Sequence, residues 1–117
     1  MNIKAKTQLI VDALEDVKAR DIVVIDTRKL TSLFECMVIA TGESNRQTRA
    51  LAANVHDKVK AAGEYVGNTE GEGTGDWVLL DLGEVIVHVM LPAVRAHYNL
   101  EELWGAGQAA RARSAAK

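Results

Sequence analysis

The segment from residue 77 to residue 91 carries large apolar side chains on both faces that a β-strand would present. Trp77-Val78-Leu79-Leu80-Asp81-Leu82 and Glu84-Val85-Ile86-Val87-His88-Val89-Met90-Leu91 flank a single Gly83, which is the pattern of two strands joined by a tight hairpin turn. With a period of two, Trp77 and Leu79 share one face, and Val78, Leu80 and Leu82 take the other. In the partner strand Val85, Val87, Val89 and Leu91 alternate with Ile86, His88 and Met90. One face must cover a core. The other still presents Trp77, Leu79 and Met90, so it is either buried in its turn or used to bind something.

The rest of the chain supplies the layers around this hairpin. Leu9, Ile10, Ala13, Leu14 and Val17 recur at helical spacing with charged residues between them, predicting an amphipathic helix laid on a sheet. Asp21-Ile22-Val23-Val24-Ile25-Asp26 and Cys36-Met37-Val38-Ile39-Ala40-Thr41 are short, β-branched and nearly all apolar, as strands buried on both faces are. Ser44 followed three residues later by Gln47 reads as a capping box. It opens a helix whose buried stripe is Leu51, Ala52, Val55, Val59 and Ala62, with Gly63 at its C-terminal end. Residues 63–75 hold five glycines and read as loop around a short edge strand at Tyr65-Val66. Pro92 favours the first turn of a helix, and a short turn through Tyr98 follows. Asn99 with Glu102 reads as a second capping box, before Leu100, Leu103 and Trp104. The expected order is αββα(β)ββα, a mixed β-sheet flanked by helices, in the α/β or α+β class.

At 117 residues the chain makes one domain, here residues 1–104, with residues 105–117 as a flexible basic tail. That tail carries three positive charges and no apolar side chain larger than alanine, so it has little to bury. The net charge of −2 argues against a domain whose affinity comes from neutralising many phosphates. No apolar run reaches membrane-spanning length, and residues 1–20 lack the apolar core of a signal peptide. The lone Cys36 has no internal disulfide partner, which fits a reducing compartment such as the cytoplasm.

Sites for chemistry are scarce. The glycine-rich segment lacks the lysine and hydroxyl residue of a phosphate loop, and residues 61–94 contain six carboxylates but no lysine or arginine. His56, His88 and His97 do not stand at metal-ligand spacing, and Cys36 lies in an apolar strand where a thiol is inert packing. Ser44 is explained as a helix cap, and Asp81 and Glu84 flank a turn. No reaction class, metal or cofactor emerges. By contrast Trp77, Met90, Pro92, Arg95 and Tyr98 are residue types enriched in protein interfaces, although a domain with few aromatics would also bury a tryptophan and a tyrosine.

The run Asp76-Trp77-Val78-Leu79-Leu80-Asp81-Leu82-Gly83-Glu84-Val85-Ile86-Val87-His88-Val89-Met90 resembles the signature stretch of the ribosomal silencing factor (RsfS, or Iojap) family. Arg95-Ala96-His97-Tyr98-Asn99-Leu100-Glu101-Glu102-Leu103-Trp104 and Ala40-Thr41-Gly42-Glu43-Ser44-Asn45-Arg46-Gln47 match two further motifs in the right order. The resemblance spans roughly residues 5–104. It implies a fold related to nucleotidyltransferases, homodimers when free, and no enzymatic activity. It also implies binding to the large ribosomal subunit through ribosomal protein L-fourteen, which blocks joining of the small subunit and lowers translation when nutrients are scarce.

Little direct RNA contact and no membrane follow from that role, and the uninterrupted carboxylates would attract a basic ribosomal protein. Carried onto this sequence, the expected contact patch is Trp77, Leu79, Met90, Pro92, Arg95 and Tyr98. Trp77 and Tyr98 are its apolar anchors, Arg95 its polar clamp, and Met90 and Pro92 the packed surround. Leu100, Leu103 and Trp104 stay open between core, dimer and partner contacts. The rival readings are an enzyme with residual nucleotidyl transfer, since Gly42 and Ser44 sit where such enzymes begin a helix, and a nucleotide-binding regulator, for which only the glycine-rich loop speaks. The paired acids such enzymes use to hold metal ions are missing, with only Asp57 at about the expected distance.

Overall fold

The computed structural model describes residues 1–103 and 109–111. Its elements run α1 (Ile3–Asp16), β1 (Arg20–Asp26), β2 (Cys36–Thr41), α2 (Asn45–Ala61), β3 (Thr69–Glu70), β4 (Trp77–Asp81), β5 (Val85–Met90), α3 (Pro92–Tyr98), α4 (Leu100–Leu103) and β6 (Ala109–Arg111). The sheet order is β3-β4-β5-β2-β1-β6. β2 and β5 pair in parallel and every other neighbour pair is antiparallel, so the sheet is mixed, as expected. The parallel pair sits at its centre, and β2 is buried at every position, as its continuous apolar run requires.

The alternation of β4 and β5 sorts their side chains cleanly. Val78, Leu80, Val85, Val87 and Val89 join Val38, Ala40 and Ile22 under α1 and α2, forming the larger core with Ile10, Leu14, Leu51, Val55 and Val59. The opposite sheet face holds a smaller cluster of Val23, Ile25, Met37, Ile39 and Met90, with Phe34, Trp77, Val94 and Leu100 packed on it. The short helices α3 and α4 cover only part of this second face. Leu100 is therefore a packing residue, while the side chain of Leu103 and all of Trp104 lie outside the described residues.

Ser44 caps α2 by accepting from the Gln47 N–H at 3.1 Å. The reciprocal bond of the capping box is displaced by one residue, because the side-chain Oε1 of Gln47 accepts from the Glu43 N–H at 2.7 Å. The Gln47 amide also donates to the carbonyls of Val17 and Lys18, tying the start of α2 to the α1–β1 turn. At the β4–β5 turn Gly83 adopts φ +83°, where a side chain would be strained, and its N–H donates to the Asp81 carboxylate at 2.9 Å.

Three expectations need correction. The edge strand is Thr69–Glu70, paired with Leu80 and Leu79, and not Tyr65-Val66. Tyr65 is mostly exposed, and the Gly67 N–H and Asn68 carbonyl pair with Asp81 to start the edge. Asn99 does not cap α4 in the expected sense. It lies in the left-handed region at φ +46° and ends α3, and its side-chain amide donates to Glu102 at 2.6 Å. Finally, Ala109–Arg111 within the expected tail lies beside β1 as a strand. Residues 105–108 and 112–117 of that tail lie outside the described residues.

Candidate functional site: the partly covered sheet face

Four of the six expected contact residues meet on the second face of the sheet, around the start of β4 and the helix that follows β5. Trp77 opens β4 opposite Met90. Its indole N–H donates to His88 Nδ1 at 2.9 Å, and Tyr98 lies against it with ring centroids 4.8 Å apart, tilted by 48°. His97 meets the Tyr98 ring edge-on at 4.9 Å. Tyr98 is 54% exposed. Pro92 is exposed at the first turn of α3, and Leu79 is half-buried two residues beyond Trp77 on the same face.

The other two expected contacts are placed differently. Met90 is fully buried. It points to the Trp77 side of the sheet, but Trp77 and α3 lie over it, so it supports the face from beneath and is no part of the surface. Arg95 is no outward clamp either. Its side chain is 11% exposed, with Nε on Glu101 at 2.9 Å and Nη1 on the Asp21 carbonyl at 2.6 Å and Thr41 Oγ1 at 2.8 Å. Nη2 is buried with no hydrogen-bond partner among the described residues. Arg95 therefore braces α3 against β1 and β2, fixing where Tyr98 stands. A helix as short as α3 needs such a brace, because its own backbone bonds cannot hold it.

Beside the aromatic pair lies a groove of about 350 Å³ that sequence reasoning missed. Phe34, Leu79, Ile86, His88 and Leu100 line it, and Glu70 and Asp81 stand among its polar wall. Ile86 and His88 share the face of Leu79 by strand alternation, a signal present in the sequence. Phe34 sits in an irregular segment with no periodicity, and its arrival here is a tertiary result.

His88 is 6% exposed, and burial lowers its pKa from 6.5 to about 4. Because Nδ1 accepts from Trp77, the neutral ring carries its proton on Nε2. Between pH 6.5 and about 4 the unfolded chain binds a proton at residue 88 that the folded chain refuses. Stability therefore falls as pH falls through that window, by about 3 kcal/mol from this group. Denaturation at pH 7 and pH 4 checks this: the native protein is expected to lose more stability than a His88→Gln variant. Equal losses would mean the imidazole titrates normally in the fold.

The helix-covered side offers a larger cavity, about 710 Å³, between α1 and β1. It lies away from Trp77, and charges of both signs, Lys4, Arg28, Asp26 and Glu35, edge it. Arg28 is already engaged with both carboxylate oxygens of Asp26, and holds that carboxyl down at about 2. Cys36 lines the cavity with its thiol pKa pushed up by burial, the state of a packing cysteine.

Within the glycine-rich segment 63–75, which lacks the residues of a phosphate loop, and at Asp76 just beyond it, the chain serves the fold. A side chain on Gly71 would meet the Trp77 carbonyl at 1.9 Å, so the chain there is pressed against β4. Asn45, Thr48 and Arg49 of α2 hold Thr74, Gly75 and Asp76 by hydrogen bonds. Among the described residues no three histidine, cysteine, aspartate or glutamate side chains are grouped to hold a metal ion. None of the described helices is long and apolar enough to cross a membrane.

Fold and site together define a class: a small α+β domain on a mixed sheet, with one face covered by helices and the other carrying an exposed Tyr98 against a half-buried Trp77, beside an acid-edged apolar groove. The chain belongs to the ribosomal silencing factor family, matching the family described as "Ribosomal silencing factor during starvation" over residues 1–117. It is 52% identical to ribosomal silencing factor RsfS of Chromobacterium violaceum over 117 residues, covering all of this chain and 96% of that one. A crystal structure of a protein from the same organism superposes with a TM-score of 0.89 at 52% identity, covering 100% of this chain and 98% of the other. A mouse protein named "Mitochondrial assembly of ribosomal large subunit protein 1" is 31% identical over 104 residues, 86% of this chain and 46% of the mouse protein.

Proposed function

We propose that this silencing factor binds the large ribosomal subunit through ribosomal protein L-fourteen, and that its bulk there blocks association with the small subunit and represses translation under nutrient limitation. The observation that carries this reading is the exposed Tyr98 stacked on Trp77 beside an apolar groove, in a chain of this family. A monomeric surface of this kind is the usual form of a protein docking face. The name of the mouse relative supports the large subunit as the partner. The carboxylates of residues 64–84 favour a basic protein over RNA, since they repel phosphates.

Occupancy of a joining face needs no catalytic group. The hydroxyl of Ser44, where the rival nucleotidyltransferase reading would begin, is committed to the α2 cap, and Asp57 pairs with its neighbour His56. Function in the cytoplasm and a homodimer when free complete the proposal. Titration of purified L-fourteen with the protein tests the direct contact. A one-to-one complex that Tyr98→Glu abolishes is the expected result. No complex with the isolated protein, under conditions where the intact large subunit is bound, would move the contact elsewhere on the subunit.

A further inference from the structure

We infer that the groove between β4–β5 and Phe34 seats an aliphatic side chain of the ribosomal protein partner, with an adjacent lysine or arginine of that partner paired to Glu70 and Asp81. The inference rests on the docking reading above and adds the chemistry of the segment recognised. The groove is walled by Phe34, Leu79, Ile86 and Leu100 and has room for one or two aliphatic side chains at about 350 Å³. Filling it would remove from water the half-buried Leu79 and Ile86, which the free protein leaves partly wet.

The charge at its edge has one sign. Glu70 is exposed at the outer strand. Asp81 uses Oδ1 for the Gly83 N–H, which leaves its second oxygen for another donor. His88, the one basic residue type in the wall, is neutral with Nδ1 occupied by Trp77. No lysine or arginine occurs anywhere in residues 61–94 to offset the carboxylates. A cation next to an aliphatic group fits this edge; an RNA phosphate is repelled by it.

The test measures the affinity of the full chain for isolated large ribosomal subunits at about 50 and about 200 mM salt. The variants are a Glu70→Gln/Asp81→Asn double substitution and Leu79→Ala. Asparagine keeps the acceptor for the Gly83 turn, and Glu70 is exposed, so the double variant should fold; a thermal melt confirms this for each protein. The double variant is expected to bind about tenfold more weakly at low salt and to lose much of the salt dependence. Leu79→Ala is expected to weaken binding by about tenfold with the salt dependence unchanged.

Native affinity and native salt dependence in the double variant would overturn the inference while leaving large-subunit docking in place. Tighter binding by the double variant would place the groove against RNA and overturn it as well. Failure of the native protein to bind large subunits would overturn both this inference and the docking reading beneath it.

Discussion

A Tyr98→Glu variant is expected to lose affinity for the large subunit by about 30-fold or more while keeping its fold. The tyrosine is 54% exposed, and among the described residues its ring meets those of Trp77 and His97. Contacts of that type are worth about 1 kcal/mol each, so the cost to stability is small. At a protein interface the same residue counts for far more, because tyrosines that become fully desolvated are frequent hot spots worth about 2 kcal/mol or more. Glutamate also replaces an apolar ring by a charge that the contact would have to strip of water. Tyr98→Phe, which keeps the ring against Trp77, should retain most of the affinity. Sedimentation of each variant with large subunits, alongside a denaturation curve, separates loss of contact from loss of fold. Unfolding of Tyr98→Glu would instead make the residue a core element.

The largest effect on stability is expected at Lys6. This lysine lies on the buried side of α1 at 1% exposure. Its ammonium donates to the Leu82 carbonyl at 2.6 Å and to Glu84 at 2.9 Å, pinning α1 to the β4–β5 turn. Glu84 is partly exposed, and the hydrogen bond from Lys6 lowers its pKa. Lys6→Ala removes the stem from a packed site and leaves the Leu82 carbonyl buried without a donor, at a cost of about 3 kcal/mol. Lys6→Met keeps the volume and should cost about half as much. Glu84→Gln should change stability by less than about 1 kcal/mol, because its carboxylate is open to water. Urea denaturation of the three variants checks the ranking. Equal losses for Lys6→Ala and Glu84→Gln would show that the ion pair, and not the buried carbonyl bond, holds the turn.

Lys6 also marks where reading the sequence stops. The periodic apolar positions of α1 and the alternation of β2, β4 and β5 place those residues on the correct faces, because burial there follows directly from strand and helix geometry. Lys6 occupies a buried position on the helix, yet as a charged residue it reads as solvent-facing. The carbonyl of Leu82, 76 residues away, and the Glu84 carboxylate make its burial tolerable. Arg95 fails for the same reason, since its three acceptors come from β1, β2 and α4. Long charged side chains follow whichever distant acceptor the fold brings near, and no local spacing encodes that.

The candidate site divides along the same line. Trp77, Leu79 and Tyr98 were legible from alternation and residue type, and Ile86 and His88 by the same alternation once the face mattered. Phe34 comes from an irregular connection and Glu70 from a two-residue strand, where there is too little pattern to read. Met90 alternates onto the correct face, but sequence spacing does not reveal that Trp77 and α3 lie over it. The short strand β6 lies in a segment whose composition predicts nothing to bury; its placement depends on the open edge of β1.

The central claim is that this domain blocks subunit joining by occupying the large subunit. Its most direct measurement is a density-gradient profile of large and small subunits mixed after the large subunit has been incubated with the protein. The protein is expected to migrate with the large subunit and the joined-ribosome peak to fall, with Tyr98→Glu restoring that peak. A full joined-ribosome peak with the protein left at the top of the gradient would contradict it.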